Sequence, residues 1–162
     1  MKLLRDPQGC FFIKAVYIDR MKHMLFALML AAASIAHGQD WLTDYNAALQ
    51  QAKKQNKPVL MDFTGSDWCG GCILLQRRVF STSDFKAYAA ENLVLLKVDF
   101  PRRNPLPPAQ ATRNEALARH YGVDGFPTII ILHPDGTRAG VVDIRFNGPK
   151  GLISAVEKIL AK

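Results

Sequence analysis

The residues of this chain best suited to chemistry are two cysteines separated by two glycines, Cys69-Gly70-Gly71-Cys72. They follow the apolar run Val59-Leu60-Met61-Asp62-Phe63-Thr64 and precede a helical pattern, so the spacing predicts Cys69 at the first turn of a helix leaving a strand end. The unpaired amides and the positive dipole end at such a turn favour a thiolate over a thiol. A dithiol so placed can exchange with disulfides, one sulfur attacking and the other completing the transfer. A static cross-link is the competing reading, but so short a loop would constrain little of the unfolded chain. Zinc is another. It usually takes four ligands, and downstream of residue 38 the only histidines are His120 and His133. Asp62 also stands out, because an unpaired charge in an otherwise apolar strand is expensive.

The elements that must position these groups follow from periodicity. Trp41, Leu42, Tyr45, Ala48, Leu49 and Ala52 recur at helical spacing, predicting a helix from Trp41 to about Lys54 with Asp40 as its cap. Pro58 suits a strand entry, and residues 59–64 read as a buried strand. Ile73, Leu74, Arg77, Val79 and Phe80 continue the helix after the cysteines; Ser81-Thr82-Ser83-Asp84 interrupts it and caps a second piece through Phe85, Tyr88 and Ala89. Residues 93–99 form a second strand, near-continuously apolar as in a sheet covered on both faces. Four prolines make residues 101–108 an irregular loop. A helix with Ala116, Leu117, His120 and Tyr121 stops at Gly122, residues 128–132 form a third strand, and His133-Pro134-Asp135-Gly136-Thr137 is a hairpin turn. Residues 140–146 supply the fourth strand, and a last helix starting at Gly148-Pro149 carries Leu152, Ile153, Val156, Ile159 and Leu160 on one face. The expected fold is α/β: two βαβ-type crossovers, then a hairpin, giving a mixed four-stranded sheet flanked by helices with an extra N-terminal helix.

Composition bounds the function. A chain of 162 residues, 49% apolar and with nine Phe, can bury one sizeable core. Residues 24–36 are apolar and uncharged, preceded by Lys22 and followed by His37-Gly38-Gln39-Asp40. The run is too short to span a bilayer comfortably and fits a secretory signal, with Ser34-Ile35-Ala36 or Ala36-His37-Gly38 offering cleavage. An uncleaved anchor or a buried helix competes with this reading, although a buried helix more often shows a polar stripe. Met21-Lys22-His23-Met24 resembles a signal start, which makes residues 1–20 an upstream extension; a long charged leader is the alternative. The expected organisation is a leader and signal over residues 1–38 and one domain over 39–162. Cys10 is then lost, and Cys69 and Cys72 remain as an even pair in a periplasmic or secreted protein, without stable membrane insertion after cleavage. The net charge of the full chain is +7, but from Gln39 onward there are sixteen Lys+Arg against twelve Asp+Glu. Arg77-Arg78 and Arg102-Arg103 are isolated pairs on solvated faces without interleaved aromatics, which argues against nucleic-acid binding.

Trp68-Cys-X-X-Cys after strand one, Gly125-Phe126-Pro127-Thr128 before strand three and an acidic residue in strand one together resemble the thioredoxin family over about residues 41–162. The likeness is greatest to exported thioredoxin-like proteins and to the soluble thioredoxin-like domains of membrane thiol:disulfide interchange proteins. It implies that Cys69 is the nucleophile, that Cys72 resolves the mixed disulfide, and that Asp62 accepts the proton of Cys72. It also implies a cis peptide at Pro127, facing the dithiol and offering backbone to substrate alongside Gly70 and Gly71, with Phe126 tuning substrate choice and Trp68 shielding one side of the thiolate; sequence alone leaves Pro127 as a strand's first residue and Trp68 as ordinary rim packing. Two features depart from the pattern. Thr64-Gly65-Ser66-Asp67 is one residue longer than in thioredoxins, which leaves open how Asp62 meets Cys72 and makes Asp67 a rival acid. Gly70-Gly71 replaces the Gly-Pro of thioredoxins and the Gly-His of isomerases, and glycine costs about 1 kcal/mol against alanine inside a helix.

The function expected is thiol–disulfide exchange on protein substrates outside the cytoplasm by a monomer that works with a redox partner, without cofactor or metal. Asp62 and the uncharged residues between the cysteines point to a reductant or isomerase-like protein more than a strong oxidant. A copper carrier using Cys69 and Cys72, or a peptide-binding module with little turnover, are the alternatives.

Overall fold

The computed structural model describes residues 40–143, 145 and 148–162. The signal-like stretch, Cys10, Met21 and the cleavage positions lie outside the described residues.

Helix α1 (Tyr45–Gln55) starts later than its periodicity suggests. Asp44, not Asp40, is the cap, accepting the Ala47 N–H at 2.8 Å. Trp41 and Leu42 are extended instead. The Leu42 N–H donates to the Leu95 carbonyl and its own carbonyl accepts from the Lys97 N–H, satisfying backbone groups on the outer edge of the sheet. Trp41 packs edge-on against Phe80 at 4.9 Å. Helical spacing of apolar residues was therefore outcompeted at Trp41 and Leu42 by unpaired groups on a neighbouring strand.

Strand β1 (Val59–Thr64) is buried along its whole length because it lies at the centre of the sheet. It pairs in parallel with β2 (Val94–Asp99) and antiparallel with β3 (Thr128–Leu132), and β4 (Arg138–Val141) completes the order β2-β1-β3-β4. The expected mixed sheet is present, but only the first crossover is of the βαβ type. Asp99 pairs with Thr64 and Thr128 with Phe63, so the connection from β2 leaves and re-enters at the same end of the sheet. That connection contains α4 (Pro108–Tyr121), and its net displacement along the strands is close to zero, which forces β3 antiparallel. Pro108 opens α4 rather than closing the loop, as suits a residue without an N–H. β4 ends at Val141, short of the expected residue 146; beyond it the Asp143 carboxylate takes both the N–H and the guanidinium of Arg145.

The two faces of the sheet separate by the period-two rule. Val59, Met61 and Phe63, with Leu96, Val98, Ile130 and Leu132, meet Ala48 and Ala52 of α1 and Tyr121 of α4. Leu60, Leu95, Ile129 and Ile131 meet Leu75, Val79 and Phe80, Phe85 of α3 (Ser83–Asn92), and Leu152 and Val156 of α5 (Gly148–Leu160). Leu75 belongs to α2 (Gly70–Leu75), which continues as a π-helical turn over Gln76–Phe80. Thr82 then caps α3, as its place in the interrupting tetrapeptide suggests. Asp62 alternates with Leu60 and so belongs to the face covered by α2, the helix that carries the cysteines.

Candidate active site

β1 ends at Thr64, and the chain turns through Gly65, Ser66, Asp67 and Trp68 into α2. Cys69 is the N-cap of that helix: its backbone is extended and its Sγ accepts the Cys72 N–H at 3.2 Å. The two residues form a disulfide with 5.2 Å between their Cα atoms, so the structure holds the oxidised state. Cys69 is 8% exposed and Cys72 3%, which makes Cys69 the outer sulfur. An amide aimed at Sγ and the helix N-terminus behind it are the arrangement that stabilises a thiolate once the bond is reduced.

Pro127 follows a cis peptide bond, as the resemblance implied. Its Cδ lies 3.4 Å from where a Cβ on Gly71 would stand, whereas a Cβ on Gly70 would meet nothing. The two glycines are thus unequal: Gly71 allows close approach to the proline, and Gly70 leaves the outer face of the dithiol open. Phe126 stacks on Phe100 at 4.9 Å and meets Trp68 edge-on at 6.1 Å, so the segments before both Cys69 and Pro127 share one aromatic cluster.

Asp62 is 3% exposed and its Oδ1 has no hydrogen-bond partner. It lines a cavity of about 110 Å³ together with Thr64, Ser66, Cys72, Ile73, Gln76, Arg77 and Lys97. With the turn over residues 65–68 between them, Asp62 and Cys72 thus face one shared space. Burial pushes the Asp62 carboxyl up from 3.8 to about 7, opposed by the positive charge of Lys97, its cross-strand partner, and reinforced by Asp99. Asp67 has a different role. It accepts the backbone N–H groups of Arg102, Arg103 and Asn104 at 2.9, 2.7 and 3.2 Å, and these bonds, Arg102's first, hold its carboxyl below the usual range.

Several residues outside the reacting centre brace the turn before Cys69 without any signal in the sequence. Asp99 accepts both the N–H and the Oγ–H of Ser66, tying the turn before Cys69 to the end of β2. The Trp68 Nε1–H donates to the Phe100 carbonyl at 2.8 Å, and the Arg102 guanidinium sits 3.6 Å above the Trp68 ring. Asn114 of α4, buried, donates to the Asp99 carbonyl at 2.8 Å. His133 follows the far end of β3, where Leu132 pairs with Val59, away from the cysteines. Among the described residues no group of three or more His, Cys, Asp or Glu converges as a metal site.

Gly65 is packed under Trp68, and a Cβ there would stand 2.6 Å from the indole Cε2 and Nε1. Gly65→Ala should therefore expel the indole and break its bond to Phe100, lowering stability by about 1–3 kcal/mol. Thermal melts and the indole emission maximum check this; an unchanged melting temperature with an unshifted spectrum would refute it.

Fold and site together define a thiol:disulfide oxidoreductase of thioredoxin fold. A family model described as thioredoxin-like matches residues 40–134. The disulfide bond reductase DsbH of Chlamydia pneumoniae is 34% identical over 116 residues, covering 72% of this chain and 70% of that protein. A solved DsbH oxidoreductase structure superposes with a TM-score of 0.71 at 33% identity, covering 80% of this chain and 90% of that one. The thioredoxin-related protein DsbJ of the same organism is 28% identical, but the chain spans only 33% of its length. A thioredoxin from Thermus thermophilus shares the fold, with a TM-score of 0.58 at 19% identity over 77% of this chain and 89% of that one. The chain belongs to the thioredoxin-like family.

Proposed function

We propose that the protein reduces disulfides of protein substrates outside the cytoplasm, with Cys69 as nucleophile and Cys72 as resolving thiol. The observation that carries this reading is the Cys69–Cys72 pair at the N-terminus of α2, backed by the buried Asp62 carboxyl, its Oδ1 without a hydrogen-bond partner, in the cavity that Cys72 also lines. In the reduced protein the Cys69 thiolate attacks one sulfur of the substrate disulfide; that S–S bond breaks and the leaving sulfur takes up a proton. Asp62, as carboxylate, takes the proton of Cys72. The Cys72 thiolate then attacks Cys69 Sγ, releasing the second substrate sulfur and restoring the intramolecular disulfide. Two electrons pass from the dithiol to the substrate, so a partner dithiol protein must return them. A carboxyl that titrates near 7 can both accept that proton and give it back. Trp68, Gly70, Gly71, Phe126 and Pro127 form the surface on which the substrate rests.

The reducing direction is supported by the likeness to DsbH, a disulfide bond reductase. Export is supported by the signal-like run over residues 24–36 and by the cysteine pair that remains beyond it. No helix of the described residues is long and apolar enough to cross a membrane, and the protein is proposed to act as a monomer. Equilibration of the Cys69–Cys72 couple against glutathione should give a potential below about −220 mV, together with turnover of insulin disulfides in the presence of a reductant. A potential above about −150 mV would reverse the proposed direction.

A further inference from the structure

The segment after β2 is stitched to the dithiol from both sides. Asp67 holds the N–H groups of Arg102, Arg103 and Asn104, Trp68 bonds the Phe100 carbonyl, and Phe100 stacks on Phe126 beside Pro127. The exposed Arg102 side chain is thereby laid over the half-buried ring of Trp68, the residue immediately before Cys69. The ion pairs among the described residues are Arg119–Glu115 and Arg145–Asp143, neither of which involves Arg102. The carboxylates of the segments joined here accept other bonds: Asp67 from three backbone N–H groups and Asp99 from Ser66. A guanidinium stacked on an indole keeps its planar N–H edge free for a bidentate acceptor. Because loop and ring already hold it, little further side-chain freedom is lost when a partner engages it.

We propose that Arg102 is a specificity-determining residue that selects a disulfide partner carrying Asp or Glu beside the attacked cysteine. The proposal rests on the exchange reaction above and names the chemistry of its substrate. An acidic flank meets the guanidinium edge as the disulfide reaches Cys69, whereas a basic flank is repelled by the same Arg102 charge.

The test uses three peptides of equal length, each with one disulfide flanked by Asp, Ser or Lys residues, and hydroxyethyl disulfide as an uncharged control. Second-order rates are measured with the reduced protein and with reduced Arg102→Gln and Arg102→Lys, at low and at physiological salt. The wild type should prefer the acidic over the basic peptide by about fivefold to tenfold at low salt, and less at higher salt. Arg102→Gln should bring that ratio to within about twofold while leaving hydroxyethyl disulfide unchanged, and Arg102→Lys should restore part of it. Equal rates for the three peptides with the wild type overturn the proposal. So does an Arg102→Gln variant that slows hydroxyethyl disulfide as much as the acidic peptide, since Arg102 would then act only by seating Trp68. Failure of the wild type to react with hydroxyethyl disulfide would instead refute the exchange reaction itself.

Discussion

Cys69→Ser should abolish disulfide exchange, lowering the rate by more than about a thousandfold, whereas Cys72→Ser should attack its substrate and then stall. The asymmetry follows from position. Cys69 is the N-cap, with an amide on its sulfur and the open face of Gly70 beside it, while Cys72 lies one turn deeper against the Asp62 cavity. A serine hydroxyl at residue 69 stays protonated at neutral pH and cannot replace the thiolate as attacking group. A serine at residue 72 leaves that attack intact but cannot release the mixed disulfide. Non-reducing electrophoresis of the Cys72→Ser variant with a disulfide substrate should therefore show a covalent adduct, and peptide mapping should place it on Cys69. Wild-type turnover by Cys69→Ser would remove the assigned nucleophile; an adduct formed by Cys69→Ser and not by Cys72→Ser would reverse the two roles.

The second large effect concerns Asp62 and pH. Its carboxyl rises from 3.8 to about 7 in the oxidised protein, first through burial, with Lys97 opposing and Asp99 adding. A carboxyl whose folded value lies above its unfolded one favours the protonated folded state, so its stabilisation is complete below about pH 4. It is lost as pH rises through about 7, by roughly 4 kcal/mol in all for a shift of about three units. The oxidised wild type should thus melt on the order of 10 °C lower at pH 8 than at pH 5 through this group alone, whereas Asp62→Asn should be nearly flat over that range. The same substitution should slow resolution of the mixed disulfide most above pH 7, where the wild-type carboxylate is ready to accept the Cys72 proton. Identical melting curves for wild type and Asp62→Asn across this range would show that Asp62 is not a buried titrating group.

These expectations rest on features that differ in how far sequence alone reveals them. Asp62 stands out locally as a charge in an otherwise apolar strand, while its relation to the cysteines was implied only by the family likeness. The Cys-X-X-Cys spacing and the strand before it are local facts, governed by periodicity and by the chemistry of a helix start. Pro127 was legible only through the family likeness, because nothing in its immediate neighbours demands a cis bond. The N-terminal boundary of α1 departs from the periodicity for a related reason: Trp41 and Leu42 fit a helical repeat, but the outer edge of β2 has backbone groups to satisfy, and nothing near residue 41 in the sequence announces that edge.

The sequence by itself determined the dithiol, the lone acid within β1, the order of the elements and the dominance of α/β packing, since all of these are written in patterns a few residues long. Only the tertiary structure decided that β3 runs antiparallel to β1, that Asp62 and Cys72 open onto one cavity, and that Arg102 lies over Trp68. The contacts that bind Ser66, Asp67 and Trp68 to Asp99, Phe100 and Arg102 join residues more than thirty positions apart. They exist because β1 and β2 are parallel neighbours ending at the same level, Thr64 beside Asp99, so that the loops leaving both strands converge on Cys69. That convergence is a property of strand pairing, which no local pattern specifies.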